Sequence, residues 1–510
     1  MNLKLKCLLF VLISSLNVVC IAQSESEIIC RVIDSESKFP VPYATIQIEN
    51  TGKGTIANVD GDFRVPAKFK AEKKKILISS IGYETVIIEL ETLSLEVLNV
   101  IEIKTKIEEL EEIVIKSTKP TKRYNISPYS IVKKAINKIP DNYPTTKFSK
   151  IGYYRDYQIV NDRYYNLNEA IVETFDAGFQ TDVIMDEYNQ NALYSYKENS
   201  EFLRDSDLLR PYDGKRKFIN NTNLSSQGGN ELGILNIHDP IRNFEQLGFS
   251  FVYVFKKKFL DNHEFTDIKK VYLNDDILYE ITFKAKQSLT KASHKASGKI
   301  YIGQSDYAIH KFTYKVYEIT LPSPLFEVEI EYKKKNDLMY LNYITFNNQF
   351  TIDEAYRFDV LNIEYDRVEQ AFFVKFNREV DATTLDKRDF KFKFNRKKMM
   401  VKNVELTDSI TAKIGIADWS LPGVDENTDM SQFTYKIKNI YDVTNRKLYE
   451  SPKIVGFQFR EFFVQEVFET KAQTENIIFI NKYRPLSEAH INELGLAKNY
   501  WLNTPLKQTR

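Results

Sequence analysis

Apolar and polar positions alternate with a period of two along much of this chain, and the clearest run lies near its start. Ile28, Cys30 and Val32 fall on one side of a strand, and Ala44, Ile46 and Ile48 repeat the pattern while Thr45, Gln47 and Glu49 point away. Asp60-Gly61 supplies a tight turn. Ile76 to Ser79 and Thr85 to Leu90 are apolar enough to predict strands covered on both faces, and Gly82 between them suits a bend that a Cβ would obstruct. The pattern predicts a small, self-contained β-sandwich.

Farther along, the period changes once and then returns to two. Ile131, Val132, Ala135, Ile136 and Ile139 recur at near-helical spacing, with Ser127 placed to cap, Pro128 in the first turn, and Pro140 and Pro144 as bounds. Strands are predicted at Ile151 to Ile159 and Tyr164 to Phe175. After a Gly/Asn loop at Gln227 to Glu231, more strands come at Phe249 to Phe255, Ile277 to Phe283, Gly298 to Ile302, Ile309 to Val316 and Phe326 to Tyr332. These make a large antiparallel sheet with one or two helices. In a later unit, Phe433, Tyr435 and Ile437 alternate with Thr434, Lys436 and Lys438 as a strand buried on one face should. The tail is strand-like at Phe462 to Phe468 and Ile477 to Ile480, and Ser487 to Leu494 predicts a short helix ended by Gly495.

The first residues carry Lys4 and Lys6, an apolar run from Cys7 to Ile13, and the ending Cys20-Ile21-Ala22-Gln23, which reads as an export signal cut after Ala22. Acylation at Cys20 is the competing reading, but lipid attachment favours a small residue where Val19 stands. The chain has 3 cysteines, and removal of the leader leaves Cys30 alone, so no internal disulfide is expected and Cys30 is a small apolar residue on a strand. The 71 basic and 70 acidic residues become 69 and 70 once Lys4 and Lys6 leave, which steers nothing toward nucleic acid. With 34 Phe and 31 Tyr against 2 Trp, the composition favours pleated, half-buried surfaces. No segment after the leader has the apolar length of a membrane-crossing helix.

The motif order Cys30-Arg31-Val32-Ile33-Asp34, Pro42-Tyr43-Ala44-Thr45-Ile46, Gly54-Thr55, Asp60-Gly61-Asp62-Phe63 and Ser80-Ile81-Gly82-Tyr83 resembles the carboxypeptidase-like regulatory domain. The resemblance implies a transthyretin-like sandwich, common in the envelope of certain Gram-negative bacteria and not itself catalytic. The Leu-Glu-Glu-Ile-Val-Ile segment within residues 108–116 resembles the stretch downstream of this domain in TonB-dependent outer-membrane receptors, whose plug and barrel have no counterpart here. Gly298 to Gly303 and Tyr307 to Lys311 resemble a curved-sheet region downstream of the same domain in a broader envelope family. The run Phe372-Phe373-Val374-Lys375-Phe376-Asn377, with Thr384 to Phe390 and the closing Asn439 to Asn445, resembles bacterial Ig-like domains, although Thr444 replaces the glycine usual before the final Asn445.

The chemical motifs are few. His490-Ile491-Asn492-Glu493 has His-x-x-Glu spacing, but no histidine comes after it to complete a zinc site, and a surface helix explains it better. His238, His263, His294 and His310 show no ligand spacing. Ser288-Leu289-Thr290-Lys291 matches Ser-x-x-Lys without the partner motifs of that chemistry. Asn58 to Asp62 resembles the front of a calcium loop, but Phe63 and Phe69 stand where glycine and a bidentate glutamate are needed, so the segment reads as a hairpin turn. His238-Asp239-Pro240-Ile241-Arg242-Asn243 is the remaining polar cluster. In one reading Asp239 and His238 orient each other while Arg242 offers a fork to a carboxylate or phosphate. In the other, Asp239 caps a short helix with Pro240 at its first position.

The expectation is therefore a mainly β, non-enzymatic, exported envelope protein of the periplasm or outer membrane, without cofactor or metal, that binds or scaffolds. It divides into a leader at 1–22, a transthyretin-like sandwich at 23–118, a central domain at 119–366, an Ig-like sandwich at 367–452 and a tail at 453–510. His238, Asp239 and Arg242 are the candidate binding residues, and an envelope protein or glycan is the expected partner. An accessory subunit of a TonB-dependent uptake complex and an envelope hydrolase lacking any linear motif are the alternatives.

Overall fold

The computed structural model describes residues 27–106, 127–219, 230–246, 254–290, 292–321, 323–418, 430–471, 473, 476–493 and 499–503. The expected leader and the segment at 108–116 lie outside them. Strands β1 (Glu27–Asp34), β2 (Thr45–Ile48), β3 (Gly54–Ile56) and β4 (Asp62–Pro66), helix α1 (Ala67–Ala71), and strands β5 (Lys75–Ser79), β6 (Val86–Glu89) and β7 (Asn99–Ile103) build the amino-terminal sandwich. One sheet runs β4-β1-β7 and the other β3-β2-β5-β6. Ile28, Cys30, Val32, Ala44, Ile46 and Ile48 are all buried between them, as their alternation predicts. Gly61 sits at φ +74°, where a Cβ would lie 2.4 Å from the Val32 carbonyl oxygen, so the turn requires glycine. β5 and β6 are covered on one face only, contrary to the expectation from their apolar content, and Ile87 is 60% exposed. A two-layer sandwich has no third layer to cover the other side. Trp501, from the far end of the chain, closes this core edge-on to Phe69 at 5.6 Å and donates to the Arg64 carbonyl at 3.1 Å.

Helices α2 (Pro128–Asn137) and α3 (Ile139–Asn142) come next, and Ser127 Oγ caps the first by accepting from the Ser130 N–H at 3.2 Å. The chain continues through β8 (Phe148–Val160), β9 (Arg163–Asp176), β10 (Gln190–Glu198) and β11 (Lys217–Phe218), then helices α4 (Glu231–Ile237) and α5 (Phe255–Asn262). Strands β12 (His263–Leu273), β13 (Asp276–Ala285), β14 (His294–Gly303), β15 (Ile309–Glu318), β16 (Phe326–Lys335) and β17 (Leu338–Ile352) complete the run. Phe255, which the apolar pattern places at the end of a strand, instead opens α5. Phe255 and Phe259, four residues apart, stack at 4.7 Å and meet Phe312 at 5.6 and 5.8 Å, so one helical stripe is buried while the lysines between them face outward. The stretch 249–253 lies outside the described residues. α4 and α5 also bring the helices of the central domain to four among the described residues, beyond the one or two expected.

Strands β18 (Val360–Asp366), β19 (Ala371–Phe376), β20 (Phe390–Phe394), β21 (Lys397–Met399), β22 (Val401–Asp408), β23 (Thr411–Ile416) and β24 (Phe433–Ile437) form a second sandwich, with sheets β18-β19-β23-β22 and β21-β20-β24. Its core includes Phe358, Phe372, Phe376 and Phe392. Because β18 belongs to it, this unit begins ahead of residue 367. The chain then returns as β25 (Ile454–Phe468), which pairs with β17 on one side and β8 on the other. The central sheet therefore reads β10-β9-β8-β25-β17-β16-β15-β14-β13-β12, with β11 beside β17. The Ig-like unit is an insertion between two neighbouring strands, and the segment expected as a tail supplies a middle strand. Buried ion pairs hold the insertion at its base: Arg446 to Asp205 at 2.6 Å and to Asp207 at 2.9 Å, and Arg378 to Asp205 at 3.3 Å.

Beyond β25, Phe479 makes a single bridge to Ala192, and the expected helix at Ser487 to Leu494 is absent from its described residues. Ile491 bridges Leu193 and the Asn492 N–H donates to the Leu193 carbonyl at 2.8 Å. The segment satisfies its backbone on the edge of β10 and so covers an otherwise open strand.

Candidate functional site

The central sheet has an inner face covered by α2 to α5 and an outer face turned toward the amino-terminal sandwich. On β16 the sequence Phe326-Glu327-Val328-Glu329-Ile330-Glu331-Tyr332 places every aromatic and aliphatic side chain inward and every glutamate outward. β8 sends Arg155 and Tyr157 outward, β25 sends Phe457, Phe459 and Glu461, and β15 sends Lys311 and Lys315. Tyr43 of the sandwich stacks on Tyr343 of β17 at 5.0 Å, holding the two units together. Beside that contact opens a cleft of about 560 Å³, within the size range of small-molecule sites. Tyr157 and Phe459, directly opposed across β8 and β25, form its floor with ring planes 3° apart and centroids at 4.9 Å. Pro42, Tyr43 and Val59 form one wall, and Pro324 and the Lys315–Glu327 pair stand among the other lining residues.

Each glutamate lining the cleft has a cation or hydroxyl. Glu461 is buried against the Arg155 guanidinium and accepts from Tyr157 Oη at 3.4 Å. Glu329 meets Lys311 Nζ at 2.6 Å and accepts from Tyr343 Oη at 2.6 Å. Burial pushes Glu329 up, but the Lys311 charge and these hydrogen bonds outweigh it and hold the carboxyl below its usual range. Glu327 pairs with Lys315 at 2.6 Å, yet there burial prevails and the carboxyl is pushed up. Tyr43 holds φ +56°, a left-handed backbone unusual for a bulky residue, and it does so at the cleft wall. The arrangement offers aromatic surface, one partly exposed ion pair and prearranged acceptors, which suits recognition of an amphipathic ligand.

The cluster at 238–242 lies on the other face. His238 Nδ1 is 2.6 Å from the Ile234 carbonyl and its ring stacks on Phe346 at 3.9 Å. Burial pushes the imidazole down to about 3, so it is neutral at ordinary pH. Asp239 Oδ1 accepts from the Ile241 and Arg242 N–H groups at 3.0 Å, and Oδ2 accepts from Tyr332 Oη at 2.5 Å. Arg242 grips both carboxylate oxygens of Asp176 at 2.9 Å and donates to the Thr181 carbonyl at 2.8 Å. The three residues are buried but their side chains go to different partners, the guanidinium fork is occupied by Asp176, and the capped element is a turn rather than a helix.

The other sequence motifs are dispersed. Asn58 Oδ1 accepts from the N–H groups of Asp60 and Asp62, and Asp62 binds Arg31 at 2.5 Å, so this loop is held by its own backbone and one ion pair. Ser288 sits in the short turn Gln287–Leu289, and Lys291 lies outside the described residues. His263 is enclosed by Phe259 and Tyr314, and Cys30 is buried with its thiol pushed up to about 12. Among the described residues, no group of three or more His, Cys, Asp or Glu side chains is arranged to hold a metal ion, and no helix is long and apolar enough to cross a membrane. The cleft residues escape notice in the sequence because they come from several separated strands, although the alternation of glutamates on β16 marks its polar face.

No curated protein sequence matches the chain. Among solved structures, the crystal structure of the LolA superfamily protein NE2245 from Nitrosomonas europaea is similar at 11% identity, over 42% of this chain and 84% of that one. Its TM-score of 0.17 carries no argument. Residues 30–115 match the family model of the CarboxypepD_reg-like domain, so the amino-terminal sandwich is similar in sequence to that regulatory, non-catalytic module.

Proposed function

We propose that this chain is a non-enzymatic, exported protein of the cell envelope that works by binding or scaffolding, and that the cleft between sandwich and central sheet receives its partner, an envelope glycan or an envelope protein segment. The observation that supports this most is the cleft itself, an aromatic-floored recess where a regulatory-type module meets a large sheet and where every lining glutamate is already tied to a partner. Ligand sites favour such junctions between units. Residues held by an ion pair and a hydroxyl are suited to fix an orientation, whereas acid–base turnover calls for a group poised to exchange its proton.

A photo-crosslinking residue at Val455, on the rim of the cleft, tests the proposal in intact cells. One envelope species should be captured, and Phe459→Ala should reduce the capture at least tenfold while leaving the fold intact. Capture of a TonB-dependent receptor as that species would select the uptake-accessory form of the reading. Turnover of an envelope peptide or glycan that disappears in Glu327→Gln or Glu329→Gln would overturn it in favour of a hydrolase.

A further inference from the structure

The Ig-like insertion carries a surface that the cleft does not involve. On the β21-β20-β24 sheet, Lys393 stands directly opposite Lys398 on one side and Thr434 on the other, and Lys391 stands directly opposite Lys436. All four lysines are exposed on the outward side of the pleat while Phe390, Phe392 and Ile437 fill the inner side. None of the four has an ion-pair or hydrogen-bond partner among the described residues. Asp389, just ahead of β20, accepts from Asn439 Nδ2 at 2.7 Å. Opposed strand neighbours lie about 5 Å apart and alternate residues on a strand about 7 Å apart, so the four lysines share one small patch.

Like charges placed directly across a strand pair are destabilising. The central sheet of the same chain avoids this, pairing Lys299 with Glu280, Lys311 with Glu329 and Lys315 with Glu327 between neighbouring strands. Lysines on β21 and β24 would serve to blunt sheet edges, but Lys391 and Lys393 are on the middle strand, where no edge needs protection. The patch also has a direction. Arg446 and Arg378, both paired with Asp205, fix the base of the insertion against the central domain, and the chain of ring contacts from Phe394 to Phe433 at 4.8 Å and from Phe433 to Tyr365 at 5.4 Å shows that the 395–396 turn and the 367–370 turn share the opposite end. That end presents Arg396 and the 93% exposed Val368.

We infer that the Lys391, Lys393, Lys398 and Lys436 face docks on an anionic lipid surface. Four exposed lysines gathered on one sheet face, with no acidic partner among the described residues, are the chemistry that an anionic headgroup layer attracts. Each basic residue held near such a surface strengthens binding roughly fivefold, and four together several hundredfold.

The test is co-sedimentation of the purified protein with vesicles of phosphatidylcholine alone or with about one third phosphatidylglycerol. Binding is expected only to the anionic vesicles, weakening steeply between 50 and 300 mM salt, and falling by about a hundredfold or more in the Lys391→Gln, Lys393→Gln, Lys398→Gln, Lys436→Gln variant. A matched variant that removes Lys38, Lys75, Lys138 and Lys447, each in an exposed ion pair, should bind as the natural protein does. Equal binding by the two variants, equal binding to both vesicle types, or no vesicle binding would each overturn the inference. Retention on the anionic polysaccharide heparin without vesicle binding would reassign the face to a polymer.

Discussion

The outer face of the central sheet and the outward face of the β21-β20-β24 sheet are built from the same pleat and much the same residue types, yet they treat charge in opposite ways. On the central sheet lysines meet glutamates of the next strand, and the fully buried Arg155 meets Glu461. On the smaller sheet lysines meet lysines in solvent. A sheet face that must be covered by another unit has to neutralise its charges internally, because burying an uncompensated ion costs several kcal/mol. A face left open can hold one sign of charge at a cost of tenths of a kcal/mol per pair. The difference separates a surface that joins parts of the molecule from one available to something outside it.

The largest test of this contrast is to remove one half of the buried pair. Arg155→Ala leaves Glu461 buried without its cation and is expected to lower stability by about 3–5 kcal/mol, read by denaturant unfolding, whereas the apolar double replacement Arg155→Met with Glu461→Leu should cost much less. If the single and double replacements cost the same, the covered face does not depend on charge pairing.

The inner face of the central sheet adds a sharper case. Asp156 is buried, accepts from Asn168 Nδ2 at 3.0 Å, and is pushed up to about 7, first by burial and next by the nearby Glu231 carboxylate. Because its folded value lies above its unfolded value of about 3.9, its contribution is fully present below pH 4, is lost as pH rises toward 7, and changes little above that. Asp156→Asn should therefore leave stability at pH 4 nearly unchanged and raise it by about 2–4 kcal/mol at pH 8. Equal effects at the two pH values would place the titration elsewhere.

The smallest effects distinguish the two outer faces by sign. Lys299→Glu sets a second carboxylate beside Glu280 and should destabilise by about 1 kcal/mol, while Lys393→Glu replaces the repulsion with Lys398 by an attraction and should stabilise by about 0.5 kcal/mol. Two destabilising results in a thermal melt would show that the open face is not under charge strain.

Local chemistry is legible in the chain itself. The alternation from Ile28 to Val32 and from Ala44 to Ile48 marks the buried side of the first sandwich, and Ser127-Pro128 marks where the first long helix starts, because turns and caps depend on residues only a few positions apart. Distant pairings are not legible. Arg155 finds Glu461 306 positions away, and no period within either strand reveals the other. Short apolar runs are ambiguous, and Phe255 with Phe259 forms a helix because their spacing buries one stripe against Phe312. At 238–242 the sequence places His238, Asp239 and Arg242 side by side but leaves open what Arg242 holds, since Asp176 is supplied by β9 far upstream. The assembly of the cleft from distant strands hides it for the same reason.

The insertion of the Ig-like unit between β17 and β25 also sets the order in which the molecule can assemble. β8 must wait for β25, some 300 residues later in the chain, so a polypeptide emerging from its start has two open strand edges in the central sheet until the insertion has been made. Closing so long a loop adds little entropy beyond a shorter one, since the cost grows only with the logarithm of length, but it delays the native pairing and lengthens the time those edges are available to other chains. Folding of this protein should accordingly be slow and sensitive to truncation at its carboxyl end, with loss of β25 turning the two halves of the sheet into templates for aggregation.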